Sequence, residues 1–313
     1  MPAAALIDTT TLAALIGSPE IALLDCRFDL AAPEAGRRAY LAGHIPGAHH
    51  ADLNRDLSSP PTPASGRHPL PDPERLSAWL RGLGIGLDRR VIVYDEANAA
   101  FAARAWWLLR WLGASDVSVL DGGFKAWVQS GGAIEVGETQ PPAPPPAPPA
   151  ASAARAAASA SALGDAASAG STAGAAVKSL AGADAVVDAP EVMRALGGAR
   201  ALLVDARAPE RFAGTVEPID PVAGHVPGAV NHPFQSNLRP DGRFLPPQEL
   251  AHLWRERLAG RDPADIIMMC GSGVTACQNL LALEIAGLPG AKLYAGSWSE
   301  WIRDPRRPIA RGA

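Results

Sequence analysis

Cysteine is scarce, with only Cys26, Cys270 and Cys277 in a chain of 313 residues. So few thiols, odd in number, form no disulfide framework, and with no CxxC pair or neighbouring histidine cluster they suggest no metal site. A free reactive thiol is the option left open. Long apolar runs are missing too. The stretch Phe101–Leu112 is interrupted by Arg104 and Arg110 and is too short to span a bilayer, so neither a transmembrane helix nor a membrane partner is expected. The N-terminal MPAAALIDTT has no basic segment followed by a long apolar one, so no secretory signal is expected, which favours the cytoplasm. Runs of Lys or Arg are also absent. With a formal net charge of -4 the chain offers no phosphate-binding stripe, and nucleic acid is not an expected partner.

What is present is a repeat. LLDCR (Leu23–Arg27) matches LVDAR (Leu203–Arg207), and AGHIPGA (Ala42–Ala48) matches AGHVPGA (Ala223–Ala229). Further on, VIVYD (Val91–Asp95) falls opposite IIMMC (Ile266–Cys270), and LDGGFKAW (Leu120–Trp127) opposite YAGSWSEW (Tyr294–Trp301). A long period met twice is a duplicated domain, since a solenoid needs more copies to bury its faces. Each half alternates short apolar runs with helical patterns such as Glu249–Leu258 and Ala276–Ala286, which predicts an α/β fold with a parallel sheet covered by helices on both faces. The expected division is a first domain at 1–138, a Pro/Ala/Ser-rich spacer at 139–177 that can form no core, and a second domain at 178–313.

The segment richest in chemistry is CGSGVTA, Cys270–Ala276, between an apolar strand and a helix beginning near Ala276. Gly271 and Gly273 can adopt positive φ, which would turn successive N–H groups around the cysteine sulfur, and the helix would point its positive end there. Ser272 and Thr275 add hydroxyls. Such a setting favours a thiolate or an anionic persulfide, as a sulfur-transfer nucleophile requires. Cys26, in a strand, and Cys277, inside the helix, read as structural thiols. The stretch EANAAFA after Asp95 lacks these glycines, so the first half is expected to build no anion cradle.

The ordered set of DxR, the two GHxPGA segments, the strand–cysteine loop and the GSWSEW segment resembles the tandem rhodanese fold. CGSGVTA is similar to the active-site loop of 3-mercaptopyruvate sulfurtransferases. The resemblance implies catalysis by the second domain alone through a persulfide on Cys270, with Asp95 opposite it in an inactive first domain. It implies Gly271, Gly273, Val274 and Thr275 around the substrate, Arg211 of ERFAG as the cation for the donor, and His44 with Ser272 in a proton relay. The relay's acid would fall at Ala35, with Glu34 the nearest substitute. A second arginine is expected nine positions after Arg211, where this chain has Asp220. Arg207 and Trp301, repeated as Arg27 and Trp127 in the first half, read as structural, and Trp298 reads as a candidate pocket wall.

These features point to an enzyme that needs no metal or organic cofactor. It would take sulfur from a small anionic donor, 3-mercaptopyruvate first, and pass it to cyanide or to a small-molecule or protein thiol. Thiosulfate:cyanide transfer is the alternative. A non-catalytic binding module would leave the glycines and hydroxyls beside Cys270 unexplained. A cysteine-dependent phosphatase would need an arginine six positions after the cysteine, where Ala276 stands.

Overall fold

A computed structural model describes residues 4–140, 185–198 and 200–312. Nearly all of the expected 139–177 spacer lies outside the described residues. Thr139 is an exception and belongs to the first unit, because its N–H donates to the Tyr40 hydroxyl at 3.0 Å.

Each half is one five-stranded sheet. The first runs β1 (Leu6–Ile7), β5 (Val117–Leu120), β4 (Arg90–Tyr94), β2 (Ile21–Asp25), β3 (Ala48–His50). The second repeats that order with β6 (Val186–Val187), β10 (Lys292–Tyr294), β9 (Ile266–Met269), β7 (Leu202–Asp205), β8 (Val230–Asn231). All strand pairs are parallel, so each crossover must carry a helix or long loop back over the sheet. Strand β2 is buried along its whole length, as are β7 and β9, which explains why the sequence shows unbroken apolar runs there. The duplication read from sequence is thus a duplication of topology.

The helices are α1 (Thr9–Leu15), α2 (Glu34–Ala42), α3 (Pro73–Gly82), α4 (Ala102–Trp111) and α5 (Gly123–Gln129), then α6 (Ala189–Leu196), α7 (Pro209–Ala213), α8 (Pro247–Leu258), α9 (Ala276–Ile285) and α10 (Ser297–Trp301). Proline and aspartate set several of their starts. In α6 Asp188 accepts from the Glu191 N–H while the Glu191 carboxylate accepts from the Asp188 N–H, a reciprocal cap with proline in the first turn.

Helices α4 and α9 each follow a central strand, and they pack against each other across the two domains. Both are apolar nearly all round. Residues 102–110 of α4 and 276–283 of α9 are buried without a break, the pattern of helices enclosed on every side. One hydrophobic cluster accordingly runs through both halves, with Trp106 and Trp107 from the first and Leu281 and Trp254 from the second. Arg110 Nη2 reaches Glu284 Oε1 at 3.4 Å across the same seam. Among the described residues no helix is long and apolar enough to cross a membrane.

Truncating Leu281 to Ala should lower the unfolding free energy by about 2–5 kcal/mol, the range for a large side chain removed from a close-packed core. Denaturant titration followed by tryptophan fluorescence measures it, and a change below about 1 kcal/mol would show that the seam repacks freely.

Candidate active site

Cys270 stands one residue past β9, the middle strand, at the carboxyl edge where open α/β sheets gather their ligands. Its side chain is buried and borders a cavity of about 330 Å³ between the domains. The first half contributes Leu30, Arg67 and Phe101 to the walls, and the second half Arg211, Phe234 and Gln235. Gly271, Ser272, Val274 and Thr275 complete the lining next to the thiol.

The loop's shape follows from what holds its carbonyls. Trp298 N–H donates to the Cys270 carbonyl at 3.0 Å and Ser299 N–H to the Gly271 carbonyl at 2.9 Å, while Cys270 N–H donates to Ser297 Oγ at 3.1 Å. Carbonyls are thus tied toward α10. Among the described residues the N–H groups of residues 271 to 276 find no protein acceptor, an arrangement suited to an anion on the cysteine. Gly273 has φ +76, and a Cβ there would lie 2.3 Å from the Ala295 carbonyl oxygen, so both backbone and space require glycine. Gly271 does not take the positive φ expected of it. Its reason is room, since a Cβ there would come within 2.8 Å of Arg67 Nη2 and 3.5 Å of Arg211 Nη2.

The first domain corrects another expectation. Without the glycines it still builds a cradle, with Ala99 at φ 57, and fills it with its own side chain. Asp95 Oδ1 accepts from the N–H groups of Ala97 and Ala99 at 3.2 and 3.0 Å, and Oδ2 from those of Phe101 and Ala102 at 2.9 and 3.2 Å. Burial still pushes the Asp95 carboxyl above the usual range, with the four N–H groups pulling it back. After Cys270 the turn is one residue shorter, its helix beginning six positions on against seven after Asp95.

His44 is not brought to the cysteine. Its Nδ1 lies 2.9 Å from the Tyr40 carbonyl and its Nε2 2.9 Å from Thr139 Oγ1, both within the first domain. His225 repeats the arrangement, with Nδ1 2.8 Å from the Phe212 carbonyl, and each histidine forms a backbone bridge to the end of its own domain. The GHxPGA histidines therefore pin loops, and Glu34 and Ala35 lie on α2, away from the Cys270 cavity. The histidine that meets Ser272 is His68, whose Nδ1 is 2.8 Å from Ser272 Oγ. Burial, then the guanidinium groups of Arg104 and Arg67, lower its pKa to about 3, so the imidazole is neutral over the physiological range. Sequence reading missed it. The available signal was a histidine just before α3 with none in the matching stretch Gly242–Pro247.

Arg104, from α4, is fully buried and ties these parts together. Its Nη1 donates to the Gly273 carbonyl at 3.2 Å and its Nη2 to the His68 carbonyl at 3.3 Å. Burial lowers its pKa, and the groups that offset this are the thiols of Cys277 and Cys270 rather than a carboxylate. A buried cation thus stands behind the cysteine loop. Cys277 donates to the Gly273 carbonyl at 3.3 Å and burial pushes its pKa up to about 12, while burial also raises Cys26, so neither competes as a nucleophile.

Arg211 lies at the cavity as expected, with its Nη2 donating to Asp220 Oδ2 at 3.0 Å and its Nε to Glu217 Oε1 at 3.0 Å. Arg207 pairs with Asp205 at 2.7 Å and donates to the Gly224 carbonyl, as Arg27 does with Asp25 and Gly43, so this pair is structural in both halves. Trp298 is not a pocket wall. It is wholly buried beneath Arg207, its indole N–H donating to the Val222 carbonyl at 2.8 Å.

Fold and site together define a duplicated α/β protein that presents one cysteine, inside an N–H cradle, to an interdomain cleft. The rhodanese-like domain model matches residues 8–130 and again 188–304, so the chain belongs to the rhodanese-like family. A Pseudomonas aeruginosa protein named "Probable 3-mercaptopyruvate sulfurtransferase" is 46% identical over 314 residues, covering 100% of both chains. The thiosulfate sulfurtransferase of Rattus norvegicus is 31% identical over 98% of this chain and 96% of its own. The crystal structure of the Escherichia coli 3-mercaptopyruvate sulfurtransferase superposes with a TM-score of 0.72 at 34% identity, covering 95% of this chain and 100% of that one.

Two buried histidines make the fold acid-sensitive. Burial holds His68 at about 3 and His232 at about 4, against an ordinary imidazole value of 6.5. The unfolded chain takes up these protons first as pH falls. The stability from keeping both rings neutral is therefore complete above about 6.5 and is lost as pH drops from there toward 3–4. Urea titrations between pH 7 and 4 should show the decline, with a shallower slope in His68→Gln.

Proposed function

We propose that the chain is a sulfurtransferase which takes sulfur from 3-mercaptopyruvate, carries it as a persulfide on Cys270 and passes it to a thiol or cyanide. The observation that carries this reading is the Ser272–His68 pair, 2.8 Å apart, set beside a cysteine whose loop offers unfilled N–H donors.

The Cys270 thiolate attacks the thiol sulfur of the donor. As the new S–S bond forms, the C–S bond breaks and its electron pair goes to the methylene carbon, giving the enolate of pyruvate. The donor's thiol proton must leave sulfur and a proton must reach that carbon. The Ser272 hydroxyl, held by neutral His68, can relay it, giving its own proton to the carbon and taking the donor's thiol proton in return. The products are pyruvate and an anionic Cys270 persulfide, which the loop N–H groups, the amino end of α9 and the buried Arg104 all favour electrostatically. In the second half-reaction an acceptor thiolate or cyanide attacks the terminal sulfur and the cysteine thiolate leaves.

One observation favours thiosulfate as a second donor. The loop lacks cationic side chains of its own, yet Arg67 and Arg211 both stand against Gly271, and two guanidinium groups suit a dianion. Transfer from thiosulfate moves no proton, because sulfite leaves with the S–S electron pair.

This difference separates the roles. Ser272→Ala and His68→Gln should each lower kcat with 3-mercaptopyruvate by about a hundredfold or more, the usual worth of a placed acid–base group, and affect thiosulfate turnover much less. Equal losses with both donors would assign the pair a purely structural role. Intact mass after incubation with either donor should rise by one sulfur in the parent chain and not in Cys270→Ser. A persulfide that persists in Cys270→Ser overturns the reading.

A further inference from the structure

We propose that the first domain holds a second binding site, a cavity beside Asp95 that takes a small zwitterion of the α-amino acid class with an apolar side chain. The site is independent of the chemistry at Cys270.

The duplication supplies an internal comparison. In each half the DxR arginine pairs with the aspartate two residues before it, donates to a glycine carbonyl and lies over an aromatic ring, Arg207 over Trp298 at 4.8 Å and Arg27 over Phe124 at 4.1 Å. Beyond that shared structural role one nitrogen differs. Arg207 Nη1 donates to Glu217 Oε2 at 3.5 Å, and that carboxylate is buried. Arg27 is buried too, with Nε and Nη2 committed to Asp25 and Gly43, but its Nη1 has no hydrogen-bond acceptor among the described residues. Glu96 Oε2, on an exposed side chain, stands 4.0 Å from it, too far for a hydrogen bond.

Arg27 opens onto a cavity of about 320 Å³ at the carboxyl edge of the first sheet, the counterpart of the Cys270 cleft. The turn after β2 gives Phe28 and Asp29 to its walls, and α2 gives Ala35 and Ala39. Gly36 lets α2 settle on the Arg27 carbonyl, where any Cβ would collide. Asp95 borders the cavity as well, but its oxygens are already engaged by four backbone N–H groups. Phe101, whose ring meets that of Phe28 edge-on at 5.5 Å, lines the Cys270 cleft too, as does Asn98, so the two cavities stand back to back.

The polar groups of this cavity carry both signs, and the walls between them are apolar, the composition of a small-molecule site. Arg27 Nη1 is a donor on a buried side chain, costly while unmatched and suited to a carboxylate oxygen. Glu96 and Asp29 are exposed carboxylates suited to an ammonium group. An anion alone would meet these two acids, and a cation alone would meet Arg27. A carboxylate and an ammonium on one carbon satisfy both, bridging the 4.0 Å gap that Arg27 and Glu96 leave open. Phe28, Phe101, Ala35 and Ala39 leave room for an apolar side chain such as that of leucine.

Saturation-transfer NMR titration of the full-length chain with three probes tests this. The probes are L-leucine, 4-methylpentanoate, which lacks the ammonium, and 3-methylbutylamine, which lacks the carboxylate. L-Leucine should bind with Kd below about 1 mM, and each half-probe at least about tenfold more weakly. Ala39→Phe fills the cavity and leaves Arg27 in place, so it should abolish L-leucine binding while thermal melting confirms a folded chain. Glu96→Gln, at an exposed position, should weaken L-leucine about tenfold and leave 4-methylpentanoate no weaker. No L-leucine binding to the parent chain up to about 10 mM would overturn the site. Binding that survives Ala39→Phe and is lost in Arg211→Gln would also overturn it, by placing the ligand in the Cys270 cleft. Equal affinity for 4-methylpentanoate and L-leucine would overturn the choice of a zwitterion.

Discussion

The turn that follows the central strand, with its backbone N–H groups turned away from the chain's own carbonyls, is the feature around which both halves are organised. In the first half the acceptor is part of the chain, because Asp95 accepts four backbone hydrogen bonds and fills its own cradle. In the second half a cysteine stands at that point and, among the described residues, the N–H groups of residues 271 to 276 are left without a protein acceptor. A short carboxylate satisfies the turn permanently. The same architecture is therefore filled by its own side chain in one half and left open beside a cysteine in the other.

The consequence reaches the domain interface. Each cradle feeds directly into a helix, α4 or α9, and these two apolar helices pack against each other. The seam that stabilises the pair is therefore the seam that brings first-domain groups to the second-domain cysteine. Arg104 leaves α4 to hold the Gly273 and His68 carbonyls, and the segment carrying Arg67 and His68 docks against Gly296 and Ser299. The residues that dock the domains are therefore also those that border the cysteine loop, with the cations Arg67 and Arg104 and the neutral imidazole of His68 reaching it from the first domain.

Much of this was legible without coordinates. The repeated DxR and GHxPGA segments gave the duplication, since identical local packing needs identical residues, and unbroken apolar runs marked strands buried on both faces. Cys270 and its glycine loop stood out because strand, thiol, glycine and helix are contiguous, and Arg211 carried a local motif. The errors had a common origin. His44 looked reactive because it lies in a motif, but a motif repeated in both halves reports shared loop geometry, and its ring nitrogens are engaged at home. Gly271 was assigned a positive φ it does not take, because the need for space beside an approaching guanidinium leaves no local trace.

The sequence by itself determined the duplicated α/β topology, the identity of the candidate nucleophile and the structural character of Cys26 and Cys277, because each of these depends on residues close together along the chain. Tertiary structure alone decided which histidine meets Ser272, which arginine stands beside Arg211, and that Asp220 links the two guanidinium groups. Residues 67 and 68 lie about two hundred positions from residues 270–272. Their meeting is set by the packing of two helices, a non-local equilibrium among many apolar side chains that no short pattern encodes.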